Sequence, residues 1–158
     1  MATRSEHIRV VCSSCYGPKK HCNIFTKEVA RNLGVYLPGG TGTDANALMD
    51  ALRGQWRQIS ATEATFLSEN GEFILCGLKS DEFVPRKDGR KTVHGHVCVV
   101  VTGQIGGFPN VFSTNESNAG HWDGKSKGDK PLSGWVFSHA DAKNVRFYAP
   151  PLVLSDTI

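Results

Sequence analysis

The chain lacks the features that mark several specialised classes of protein. No apolar run is long enough to span a bilayer. The N-terminus has only a short apolar stretch at 8–12, without the continuous apolar segment and cleavage site of a secretory signal. No dense basic run points to nucleic acid, and the net charge of +3 is mild. We expect synthesis in the cytoplasm without a signal peptide, and neither a membrane nor a nucleic acid as partner.

Cysteines are few, and their number is odd. There are five, so at least one thiol is unpaired unless two chains cross-link. Cys12 and Cys15 form a C-x-x-C motif. A structural zinc site normally uses two well-spaced pairs of ligands. A zinc module would therefore have to add Cys22 and His21 to this single pair. A disulfide involving Cys12 or Cys15 would fit an oxidising compartment, and unpaired small residues fit equally well. We expect no metal and no cofactor.

The first half of the chain carries helical patterns. A helix is predicted to begin at Cys22 and to end at Gly34, because the apolar residues between them recur at helical spacing and glycine is a natural C-terminal stop. A second helix is predicted over 44–59, with Thr43 or Asp44 as its cap.

The second half carries strand patterns, since short runs rich in β-branched residues are separated by polar segments. There is no internal repeat and no long linker, so we expect a single domain over 1–158. Helices followed by a meandering antiparallel sheet indicate the α+β class. The predicted strands are 73–78, 94–101, 110–114, 135–138 and 145–148, and the predicted loops are 79–92 and 115–133.

Cys22 is placed where a basic loop turns into a helix, and this position suits a nucleophile. The thiolate is the reactive form, and a helix N-terminus favours it and can also hold an oxyanion. A catalytic cysteine needs a histidine from elsewhere in the fold. His94 and His96 share one face of a predicted strand, and either could meet Cys22. A cysteine at a helix start and a histidine on a strand also occur together by chance. His21 is expected to be a loop residue, and His121 and His139, in or next to the polar loops, are expected to be solvated rather than catalytic.

The order of four segments is more specific than this spacing. They are C-N-I-F-x-x-x-V-A-x-x-L-G-V, P-G-G-T-G-T-D-A-N-A-L-M-D-A-L, F-I-L-C-G-L-K and G-H-V-C-V-V-V-T-G. In this order the chain resembles the NlpC/P60 cysteine peptidases, and in particular the first family of amidase effectors of bacterial type VI secretion systems. The resemblance runs over about 21–103, with a weaker match at 134–150.

The resemblance implies a papain-like fold and hydrolysis of the peptide stem of peptidoglycan, between γ-D-glutamate and meso-diaminopimelate. It places the nucleophile on Cys22 and the general base on His96. The group that orients the base falls on Ser113 when Pro109 sets the alignment, or on Asn115 when the alignment runs from His96 without gaps. Tyr16 and His94 are the expected substrate contacts. The family usually has Cys-Ser-Gly-Phe at the nucleophile, and the departure here, C-N-I-F, affects the contacts around the thiol.

The resemblance also implies partners and a place of action. They are the type VI secretion machinery, the periplasm of a recipient bacterium, and a small immunity protein that plugs the cleft; we expect the enzyme itself to be a monomer. Two other functions compete with this one. A cysteine acyl-transfer enzyme acting on lipid esters or amides would favour apolar cleft loops, whereas these loops are polar. A non-catalytic wall-binding domain would bury Cys22 and leave it unreactive.

Overall fold

The computed structural model describes residues 3–17, 21–39, 44–85, 88, 94–101 and 136–151, and the backbone of 120–122. Five helices, one short 3₁₀ turn and five strands lie in these ranges. In chain order they are α1 (Arg4–Cys15), α2 (Cys22–Leu33), α3 (Ala45–Gln55), β1 (Arg57–Ile59), α4 (Ala61–Glu69), β2 (Ile74–Leu78), the 3₁₀ turn (Ser80–Glu82), β3 (His96–Val101), β4 (Gly120–Trp122), α5 (His139–Ala142) and β5 (Arg146–Ala149).

Several helices begin or end at residues that form hydrogen bonds with the backbone groups left without a partner at the helix ends. Thr3 and Ser60 each form a capping box with the glutamate three residues on, at the starts of α1 and α4. Asp44 caps α3 by accepting a hydrogen bond from the Ala47 N–H at 2.8 Å. Gly34 ends α2 in the left-handed conformation (φ 71°), which glycine adopts without steric cost.

The five strands form one antiparallel sheet in the order β1-β5-β2-β3-β4. β2 lies at the centre and is buried along its whole length, between β5 and β3. In the β2–β3 ladder, Leu78 pairs with His96 and Cys76 pairs with Cys98. The start of β3 is therefore held against the end of β2.

Both faces of the sheet are covered, and each has its own buried cluster. One cluster joins α1, α2 and α3 to Leu75, Val97 and Val99. The other joins α4 and α5 to Ile74, Cys76 and Cys98 and their neighbours. Because strand side chains alternate between faces, adjacent residues of β2 and β3 contribute to opposite clusters. The chain is thus of the expected α+β class, with helices packed on an antiparallel sheet.

Several predicted elements are confirmed with small shifts at their ends. α2 occupies the predicted span, and β2 and β5 correspond to the strands predicted at 73–78 and 145–148. β3 begins at His96 rather than at His94. The strand predicted at 110–114 lies outside the described residues.

Three predictions of local structure were wrong. The helix predicted over 44–59 ends at Gln55, because Arg57–Ile59 pairs with β5 and becomes an edge strand. The predicted loop 115–133 contains β4, which pairs with β3. The strand predicted at 135–138 is reduced, over its described part, to a single bridge residue at Phe137, after which Ser138 accepts from the Asp141 N–H and caps α5. α1 and α4 were not predicted as separate helices.

Within the described part of the chain, no helix is both long and apolar enough to cross a bilayer.

Candidate active site

A cleft of about 260 Å³ opens where two helices begin and one strand begins. The first residues of α2 and α3 form two of its walls, and the segment that leads into β3 forms the third. Its described lining residues are His21, Cys22, Asn23, Asp44, Ala45, His94, Gly95 and His96. The cleft therefore brings together the cysteine and both histidines that the sequence analysis singled out.

Cys22 is the first residue of α2 and is 9% exposed. Its neighbours one turn along the helix, Phe25 and Thr26, are fully buried, so packing fixes the helix start firmly. His21 occupies the N-cap position, and within the described part of the chain its side chain makes no capping hydrogen bond. The Cys22 thiol therefore lies at the end of α2 that carries partial positive charge.

Asp44 supplies the carboxylate of the cleft, from the start of α3. Its side chain caps the helix, and it also lies near the ammonium group of Lys27 on α2. Partial burial lowers the pKa of Lys27, and the negative charge of Asp44 acts in the opposite direction. The carboxylate that lines the cleft on α3 thus interacts with a positive group on α2.

Gly95, between the two histidines, is packed tightly against α3. A Cβ at this position would lie 2.6 Å from Asn46 Oδ1 and 2.9 Å from the Leu78 carbonyl oxygen. Asn46 is itself fixed, since its side chain exchanges two hydrogen bonds with Ser80, at 3.0 Å and 2.8 Å. Only glycine fits here without a shift of its surroundings, so the backbone between His94 and His96 lies close against α3.

The two histidines have different surroundings. His94 is exposed in a bend before β3, whereas His96 is half-buried as the first residue of the strand. The His96 ring packs edge-to-face against Phe137, with ring centroids 5.2 Å apart and an interplanar angle of 74°. This contact lies on the sheet face of Cys76 and Cys98, whose cluster includes Phe137. His96 therefore joins the cleft to the packing on the far side of the sheet.

The other predicted site residues are not brought to this cleft by the described structure. Tyr16 ends α1, where it packs partly buried against the helical cluster, and it is not among the described lining residues. Ser113 and Asn115 lie outside the described residues, as does most of the loop 115–133. Asn46 was not singled out from the sequence, and it carried no signal there beyond its place in the D-A-N-A-L segment.

The cysteines contribute to packing throughout the fold. All five are buried thiols. Cys12, Cys15, Cys22 and His21 are all described, yet no group of three or more His, Cys, Asp or Glu among the described residues is placed to hold a metal ion. The zinc module considered from the sequence is therefore not assembled.

Comparison with known proteins gives one informative match. No protein-family model matches the chain. The chain is similar to the peptidoglycan amidase Tse1 of Pseudomonas aeruginosa, with 31% identity over 133 residues, which cover 82% of this chain and 75% of that protein. The resemblance to amidase effectors stated from the sequence is thereby confirmed over 82% of the chain.

Proposed function

The chain belongs to the family of the peptidoglycan amidase Tse1, and from this premise we propose that it is a cysteine amidase that hydrolyses the peptide stem of peptidoglycan. The observation that carries the proposal is the cleft in which Cys22, at a helix start, lies with His94 and His96. The fold we infer is the papain-like fold of the NlpC/P60 peptidases. In that fold a helix begins at the nucleophile and a strand begins at the general base. We infer that α2 and β3 are these two elements.

In the proposed reaction, His96 takes the proton of the Cys22 thiol, and the thiolate attacks the carbonyl carbon of the scissile amide. The backbone N–H of Cys22 stabilises the resulting oxyanion, because it points out of the N-terminus of α2. The His96 imidazolium then protonates the departing amine. Water, deprotonated by His96, attacks the thioester and releases the carboxylate product and the thiol.

The remaining assignments follow from the family. We propose that the bond cleaved is the one between γ-D-glutamate and meso-diaminopimelate. Ser113 or Asn115 would accept a hydrogen bond from His96 and fix its tautomer. His94 is proposed to contact the substrate, since it lines the cleft without belonging to the strand. Tyr16 remains a proposed substrate contact, on the argument of the family alone.

We further propose a biological setting. The amidase would be delivered by a type VI secretion machine into the periplasm of a recipient bacterium, and the producing cell would be protected by an immunity protein that plugs the cleft. Expression in a Gram-negative host provides a test. The chain should lyse cells when fused to an export signal and should be harmless without one. Lysis by a Cys22→Ala version of the exported chain would contradict the link between lysis and hydrolysis.

The decisive experiment is digestion of purified peptidoglycan fragments by the wild type and by Cys22→Ala, with the products identified by mass spectrometry. We expect a cut between glutamate and diaminopimelate that is lost in the variant. A cut elsewhere would reassign the bond but keep the enzyme class. Full activity of a folded Cys22→Ala protein would overturn the assignment of the nucleophile.

One observation favours the non-catalytic alternative, a wall-binding domain. Cys22 is only 9% exposed, as expected for a cysteine that serves packing. The two functions differ in the reactivity of this thiol. An amidase predicts that iodoacetamide modifies Cys22 in the native protein faster than the four other buried cysteines. Equal, slow modification of all five, together with binding to peptidoglycan and no cut, would favour the binding domain.

A further inference from the structure

Two cysteines outside the cleft lie directly opposite each other in the sheet. Cys76 on β2 is the register partner of Cys98 on β3. Both side chains are fully buried, and their sulfur atoms are 2.9 Å apart. The proposed reaction uses neither thiol, and the C-x-x-C of Cys12 and Cys15 belongs to a different element, α1.

The backbone at this pair suits a covalent bond. Directly opposed residues of antiparallel strands have Cα atoms about 4.5 to 5.5 Å apart, which is within the range of about 4.4 to 6.8 Å found across disulfides. Both side chains point to the same face of the sheet, because opposed residues in a ladder share a face. The register of the two strands therefore places Cys76 and Cys98 within the backbone separation of a disulfide, with their sulfur atoms in contact.

We propose that Cys76 and Cys98 form a disulfide when the chain folds in the presence of a small-molecule disulfide oxidant. The bond would tie β2 to β3 two residues beyond His96. It would be absent while the protein is in a reducing cytoplasm and would form in an oxidising compartment. This proposal does not depend on the amidase activity.

The chemistry is two successive thiol–disulfide exchanges. While the chain is still open, the Cys76 thiolate attacks glutathione disulfide, which gives a mixed disulfide and releases one glutathione thiolate. Folding then places the Cys98 thiolate against the Cys76 sulfur, and its attack forms the protein disulfide and releases the second glutathione. The protein loses two protons and two electrons, and glutathione disulfide is reduced to two glutathione molecules. Because both thiols are fully buried after folding, we expect the folded, reduced protein to react far more slowly.

The test is to refold the full chain from urea with either oxidised or reduced glutathione, block remaining thiols with N-ethylmaleimide, and map the disulfides by mass spectrometry. Trypsin separates the two partners, since Cys76 falls in peptide 58–79 and Cys98 in peptide 92–125. We expect these two peptides to be linked only in the oxidised sample, with three thiols still modified. Cys12 and Cys15 share peptide 10–19, so a bond between them gives a different signature.

Two variants provide the control. Cys98→Ala should abolish the linked peptides, whereas the double variant Cys12→Ala, Cys15→Ala should retain them. The oxidised wild type should also melt on the order of 10 °C above the reduced form, because the bond closes a loop between residues 22 positions apart and so restricts the unfolded chain. Five modified thiols after oxidative refolding, or a bond confined to peptide 10–19, would overturn the proposal. The map of the wild type decides the matter even if a variant fails to fold.

Discussion

Asn46 and Ser80 hold each other through two hydrogen bonds at the edge of the cleft. The Asn46 side-chain amide donates to Ser80 Oγ at 3.0 Å, and the Ser80 backbone N–H donates to Asn46 Oδ1 at 2.8 Å. The pair joins the first turn of α3 to the turn that follows β2, and Gly95 lies against the same asparagine. Asn46 thus lies against the backbone segment between the two histidines.

Replacing Asn46 should disturb this arrangement and lower turnover. Asn46→Ala leaves the Ser80 N–H without its acceptor in a partly buried place, and we expect it to cost about 1 kcal/mol of unfolding free energy. Because Asn46 positions the backbone beside both histidines, kcat on peptidoglycan fragments should fall more than KM rises. Steady-state kinetics and urea unfolding of the same preparations measure the two effects.

Two further variants separate positioning from general stability. Asn46→Asp keeps the acceptor for the Ser80 N–H and can accept from the Ser80 hydroxyl, so it should recover much of kcat. Asn70→Ala removes an asparagine that donates to the Phe66 carbonyl at the end of α4, away from the cleft. A similar loss of kcat in Asn46→Ala and Asn70→Ala would contradict a positioning role for Asn46.

Gly95 gives a second prediction, on steric grounds. In Gly95→Ala the new Cβ would meet Asn46 Oδ1 and the Leu78 carbonyl oxygen closer than real Cβ contacts allow, so backbone must move. We expect lower stability and a loss of activity larger than that stability loss explains. Gly54→Ala is the matched control, because a Cβ there meets nothing within 4 Å and alanine should stabilise α3 by about 0.5–1 kcal/mol. Wild-type activity in Gly95→Ala would show that this contact does not determine the positions of His94 and His96.

The sequence predicted those elements whose signals are local. The span of α2 follows from apolar spacing between Cys22 and Gly34, and the buried strand β2 follows from its apolar run. Arg57–Ile59 could not be identified in this way, since it becomes a strand only by pairing with Phe147–Ala149, far along the chain. Local propensity is a weak guide where pairing at long range decides.

The candidate site was predicted in part. Its cysteine and its two histidines were identified from residue type, position and family resemblance, and they do share one cleft. The contact of Asn46 with Gly95 was not foreseen, because no sequence pattern links positions so far apart. The edge-to-face packing of His96 on Phe137 was missed for the same reason, and because the segment around Phe137 was taken for a strand.

Tyr148 gives a prediction about alkaline pH. Burial raises the pKa of Tyr148 above its ordinary value of 10.0; Glu82 and Asp50 add to this, whereas Arg146 and Arg53 oppose it. The folded protein therefore favours the neutral phenol, while the unfolded chain ionises near the ordinary value. The stabilisation from the neutral phenol is complete below that pH and is lost as the pH rises through the folded pKa. Between about pH 8 and about pH 10.5, the free energy of unfolding measured in urea should fall more for the wild type than for Tyr148→Phe.

For each protein, the test uses the difference in unfolding free energy between the two pH values. A change in stability that Tyr148→Phe causes equally at both pH values therefore does not affect the comparison. Tyr36→Phe removes a hydroxyl from an exposed tyrosine and serves as the surface control. Equal declines for the wild type and Tyr148→Phe would show that another group governs stability in alkali.

His96 and His94 should respond differently to replacement, although both line the cleft. The His96 imidazole is half-buried and packs against the Phe137 ring, whereas His94 is exposed. His96→Ala should lower kcat roughly 10²-fold or more, because a positioned acid–base group typically contributes that much. His94→Ala should act mainly on KM. Turnover of peptidoglycan fragments, with thermal unfolding as the check on folding, measures both. If His94→Ala abolished turnover while His96→Ala retained it, the base would be His94, and the contact of His96 with Phe137 would be only structural.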